Sequence, residues 1–117
     1  MRYLLALPAA AALAAVLAFP APHAAAAPTP APSPGLVVHI KNFMFMPMTA
    51  TVKAGTTIEF INDDDDAHTV TLTDKSIDSG GIDGHESWSH TFTKVGTFNY
   101  ICAVHPYMKG VLKVLPR

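Results

Sequence analysis

Cysteine is almost missing from this 117-residue chain: Cys102 stands alone, so no internal disulfide can staple the fold. Basic residues are not in excess either. Eight Lys and Arg against nine Asp and Glu give a formal charge of -1, so nothing points to nucleic-acid binding, which usually needs a basic face. From Leu36 onward no run keeps a helical period, and no internal repeat is present. A domain of roughly 80 residues buries only a modest core and is often helped by disulfides or a metal. With the first of these ruled out, what occupies the lone thiol becomes the main question.

The chain opens on Met1-Arg2, an Ala- and Leu-rich run from Tyr3 to Phe19, and small-x-small cleavage sites within Ala24 to Ala27. Residues 1–26 therefore have the layout of a secretory signal peptide. The apolar run is about long enough to cross a bilayer, but Pro8, Pro20 and Pro22 break it, so membrane attachment is expected only if the leader is kept as an anchor. Residues 27–35, containing PTPAPSPG, read as an extended polyproline II linker with no apolar face to pack. Together they predict a periplasmic or otherwise exported protein whose folded domain is 36–117.

Short β-branched and aromatic runs separated by turn residues recur through that domain, the pattern of an all-β sandwich or barrel. Strands are expected near Leu36–Phe45, Thr49–Lys53, Thr56–Ile61, His68–Thr73, Ser87–Thr93, Thr97–Cys102 and Gly110–Leu115. Side chains alternate across a strand. His68 should therefore share a buried face with Val70 and Leu72 while Thr69, Thr71 and Thr73 face away, and Cys102 should lie with Phe98 and Tyr100. His90 falls on the face of Trp88 and Phe92.

The stretch YICAVHPYMKG sets Cys102, His105 and Met108 on one tight loop, with two residues between Cys102 and His105 and two between His105 and Met108. Zinc takes thiolates and imidazoles but wants four good donors, whereas a thiolate, two imidazoles and a weak axial thioether form the blue-copper electron-transfer site. The second imidazole has to come from elsewhere, and His68 is the best placed because it begins an amphipathic strand with its ring toward the core.

In these residues the domain resembles the cupredoxins, small type 1 blue copper proteins, and in particular their amicyanin and plastocyanin branch. The resemblance runs through NFMFMP (Asn42–Pro47), TVKAGTTIEFIN (Thr51–Asn62), AHTVT (Ala67–Thr71), TFTKVGTFNYIC (Thr91–Cys102) and HPYMKGVLKV (His105–Val114). The short loop spacing is similar to that of amicyanin. The resemblance implies a cupredoxin-like Greek-key β-sandwich of seven to eight strands holding one type 1 copper ion. It implies His68, Cys102, His105 and Met108 as its ligands. It also implies that the edge of His105 reaches the surface, where Pro106 and Tyr107 form part of an apolar rim for a redox partner. The function that follows is one-electron transfer by a monomer between redox proteins such as a periplasmic dehydrogenase or a c-type cytochrome. Many members carry Asn just after the first histidine ligand, and here that place is Thr69.

Each of these residues also has a plainer reading. Cys102 alone would be a small buried hydrophobe, and His68 alone a satisfied core histidine. His90 reads as structural, His39 and His85 as exposed, and His23 lies in the leader. Met44, Met46 and Met48 form a stripe that suits either a soft Cu(I) site or a surface patch interrupted by Pro47. Asp63 to Asp66 reads as a solvated turn able to steer a basic partner. A copper delivery or storage protein is the alternative function. An enzyme is disfavoured, because a binuclear oxidase centre needs two loop cysteines and multicopper oxidases need His-x-His pairs.

Overall fold

A computed structural model describes residues 9–12, 14–22 and 33–117, so most of the expected leader and linker, residues 1–8, 13 and 23–32, lies outside the described residues. Residues 9–12 and 14–22 have no regular secondary structure and are exposed. Eight strands follow: β1 (Leu36–Lys41), β2 (Met44–Met46), β3 (Thr49–Lys53), β4 (Thr56–Asn62), β5 (Thr71–Leu72), β6 (Ser87–Phe92), β7 (Gly96–Ile101) and β8 (Lys109–Leu115). They build two four-stranded sheets, ordered β2-β1-β4-β6 and β3-β8-β7-β5. Both sheets are mixed: β1 runs parallel to β4 and β3 parallel to β8, while every other pair is antiparallel. The all-β sandwich expected from the sequence is the architecture found.

Period-two alternation supplies the core. In β4, Ile58, Phe60 and Asn62 point inward, and in β8, Gly110, Leu112 and Val114 do. Ile40, Phe45, Ile58 and Phe60 of one sheet pack with Tyr100, Leu112 and Val114 of the other. Each such apolar side chain contributes about 1.5–3 kcal/mol on burial. Tyr100 sits directly across from Gly110 in the β7–β8 ladder, and a Cβ at Gly110 would overlap the Tyr100 ring. Burial there pushes the Tyr100 phenol up to about 12.

Two expected elements came out differently. The run expected as one strand from Leu36 to Phe45 breaks at Asn42 and Phe43, whose φ angles of 52° and 56° turn the chain into a hairpin between β1 and β2. Two consecutive left-handed residues make the two-residue hairpin that matches strand twist, but Phe is strained there. The expected strand His68–Thr73 contracts to Thr71–Leu72, because residues 77–82 double back to take its hydrogen bonds. His68 and Ile82 exchange backbone bonds of 3.1 and 2.7 Å, and the Val70 amide donates to Ser79 Oγ at 2.8 Å. Thr69 and Thr71, expected to face away, are buried with 7% and 6% exposure. They are enclosed between this returning segment and the cysteine loop.

Candidate metal centre

His68, Cys102 and His105 come together at one end of the sandwich, with their donor atoms all within 4.8 Å of one another. Cys102 Sγ lies 3.7 Å from His68 Nδ1 and 3.8 Å from His105 Nδ1. A metal bonded to sulfur at about 2.3 Å and to nitrogen at about 2.0 Å in a trigonal plane separates its donors by about 3.8 Å. The cluster is therefore spaced for one ion. Cys102 and His68 are fully buried and His105 is half-buried.

Cys102 follows directly on β7, and the loop returns into β8 through two short bonds: Met108 N–H donates to His105 O at 2.9 Å and Cys102 N–H to Met108 O at 3.2 Å. Met108 is 2% exposed, on the core side of this loop. A soft thioether beside a thiolate and two imidazoles suits copper better than zinc.

The histidine from the other segment is held by Asp64. His68 Nε2 lies 2.9 Å from Asp64 Oδ2, and a carboxylate only accepts, so Nε2 carries the proton and Nδ1 turns its lone pair to Cys102. The same carboxylate accepts the amides of Asn42 (2.8 Å) and Phe43 (3.0 Å), which pins the strained hairpin. Burial raises the Asp64 carboxyl, but these two amides and the His68 ring outweigh it and hold the group below its ordinary 3.8. Phe43 in turn sets its ring edge-on to both His68 and His105, at centroid distances of 5.2 and 5.0 Å. Asn62, fully buried, shapes the intervening turn by accepting from the Asp64 amide and donating to the carbonyls of Asp66 and Ile82.

Thr69 braces the thiol. Its amide donates to Cys102 Sγ at 3.3 Å, and its hydroxyl accepts the Ala103 amide at 2.8 Å. The hydroxyl chain continues to Thr71 at 2.9 Å and on to Asp78 at 3.3 Å, tying residues 69, 71 and 78 to the loop.

Among the described residues the other histidines, His39, His85 and His90, stay apart from the cluster. His39 pairs with Asp63 and His85 with Asp65, both in solvent, while His90 stacks on Trp88 at an interplanar angle of 12°. The aspartate run is a solvated turn, as expected, except at Asp64, whose side chain is only 12% exposed and holds the buried His68. Asp64, Asn62 and Phe43 were missed as site residues. An Asn leading an Asp run is a turn signal that pointed toward Asn62, whereas nothing in the sequence marks Phe43 as left-handed.

A family model described as "Cupredoxin-like domain" matches residues 9–114. The chain belongs to the cupredoxin-like family. Amicyanin of Paracoccus denitrificans is 30% identical to this cupredoxin over 84 residues, covering 68% of the chain and 64% of the relative. Amicyanin-alpha of Methylorubrum extorquens is 33% identical over 82 residues, covering 66% and 69%. The amicyanin of Paracoccus versutus is covered over 61% of its length, so the chain spans a little under two thirds of the first of these curated relatives. Among solved structures, the Cu(I) form of an amicyanin variant superposes with a TM-score of 0.68 at 27% identity, over 73% of this chain and 86% of that one. A copper-containing nitrite reductase of Thermus scotoductus matches 79% of this cupredoxin but only 24% of its own chain, with a TM-score of 0.66 at 30% identity.

Proposed function

We propose that this cupredoxin is an exported one-electron carrier in which His68, Cys102, His105 and Met108 hold a single copper ion. The observation that carries the reading is the convergence of one thiol and two imidazoles at 3.7 and 3.8 Å, from segments 34 residues apart. Copper supplies the redox change, cycling between Cu(II) and Cu(I). The protein's part is to hold the donors still. Asp64 fixes His68, Thr69 fixes Cys102, and a rigid sandwich resists the geometric change that would slow electron transfer.

His105 is the one donor residue with solvent exposure, and Val104 and Tyr107 beside it are 60% and 67% exposed. That rim is the docking face for a redox protein such as a dehydrogenase or a c-type cytochrome, by analogy with the amicyanins. The leader of residues 1–26 and the linker of residues 27–35 are read as an export signal and a spacer ahead of a monomeric domain. Their sequence layout supports this, and the core begins only at β1.

Titrating the protein with Cu(II) tests the reading. An intense blue thiolate-to-copper band that saturates at one equivalent, with narrow copper hyperfine splitting in electron paramagnetic resonance, is expected. Pale, tetragonal copper at several equivalents would instead favour delivery or storage, the reading to which the exposed Met44, Met46 and Met48 lend weight.

A further inference from the structure

Methionine usually fills gaps inside a core, yet three of this chain's five lie half in water within five residues: Met44 at 44% exposure, Met46 at 47% and Met48 at 55%. Single exposed apolar residues need no explanation, but a cluster does. Two of the three face a particular place. A cavity of about 470 Å³ has Met44 and Met48 in its lining together with Phe43, Tyr107, Lys109 and the buried Met108. It therefore joins two surface thioethers to the thioether at the candidate metal centre. It also borders Phe43, whose ring edge covers both imidazoles.

We infer that Met44 and Met48 form a weak Cu(I) loading site through which copper reaches the buried cluster; the inference rests on the copper reading above. Thioethers are soft, neutral donors that select Cu(I) over harder cations, and they need no deprotonation to bind. Two or three such donors hold the ion loosely. The ion then passes inward past Met108 to the sulfur of Cys102 without changing oxidation state, and the Cys102 thiol releases its proton to water as the copper–sulfur bond forms. The Lys109 side chain is exposed, and its flexible stem lets the ammonium swing into solvent and leave the cavity to the incoming cation.

The test is the rate of copper uptake by the metal-free full chain, with Cu(I) supplied anaerobically as its acetonitrile complex and Cu(II) supplied separately. Uptake of Cu(I) is followed in the ultraviolet thiolate band, and final occupancy is read from the blue band after oxidation. Met44→Leu/Met48→Leu conserves volume while removing both sulfurs. It should slow Cu(I) uptake by about tenfold, the equivalent of about 1.4 kcal/mol in the barrier, and leave Cu(II) uptake and the final blue band unchanged. Met46→Leu, outside the cavity lining, should load at the parental rate. Unchanged Cu(I) uptake in the double variant, or equal slowing of both oxidation states, would overturn the loading site while leaving the electron-transfer reading intact. A parent chain that never turns blue would overturn both.

Discussion

Asp64 brings together two tasks that residue-by-residue reading kept apart. One oxygen or the other of its carboxylate holds the His68 ring, the Asn42 amide and the Phe43 amide. It thereby sets the tautomer of one proposed ligand and supports the aromatic ring that covers two. A full negative charge one imidazole away favours Cu(II) over Cu(I). Asp64→Asn is therefore expected to raise the midpoint potential by on the order of tens of millivolts at low salt. The exposed Asp66 serves as the control, and Asp66→Asn should shift the potential far less. Protein-film voltammetry decides the matter, and equal shifts from the two variants would show a diffuse surface field with no special role for Asp64. The four aspartates look alike in sequence. What separates them is which one the buried Asn62 turns toward the hairpin, a relation between residues 21 and 22 positions apart that leaves no local pattern.

At the level of elements, the most consequential pair is the cysteine loop and the short segment around β5. Legibility was uneven here. β4, β6 and β8 were readable because in each one face is more buried than the other, whereas β5 shrank because it lies between β7 and the returning segment, and both of its residues are buried. Thr69 and Thr71 look like outward strand residues by alternation and are instead the polar brace of the site. Thr69→Val keeps the shape but strands the Ala103 amide without its acceptor, at a cost of about 1–2 kcal/mol. Thermal unfolding of the metal-free protein should show a lower midpoint for Thr69→Val, with Thr69→Ser recovering most of the loss because it retains the hydroxyl. Equal losses in both variants would assign the effect to packing of the methyl group.

Across the whole molecule, the sheet order was the least legible feature, since parallel pairing of β1 with β4 and of β3 with β8 depends on contacts between distant segments and not on any one strand's pattern. The fold class was readable from alternation, and the approach of Cys102 and His105 from the spacing of their loop. A bound ion would join His68 to a loop 34 residues away, so the holo and metal-free forms should differ in stability. At a hundredfold excess over its dissociation constant, copper stabilises the folded state by about 2.7 kcal/mol. For a domain of this size that raises the melting midpoint by roughly 10–20 °C. Calorimetry of the two forms checks this, and coincident midpoints would mean that the metal adds nothing to the fold.

The position of β8 bears on the order of events during biosynthesis. It lies between β3 and β7 in its sheet, yet it is made after every other described strand. Until it emerges, β3 has no neighbour in that sheet, β7 is open along one side, and the returning arm of the cysteine loop has nothing to dock on. In a nascent chain the arm that carries His105 and Met108 thus has no β8 to lead into, and the metal pocket is among the last features to be completed. Copper should find no finished site on a partly made chain, so metal capture is delayed until synthesis has passed Leu115.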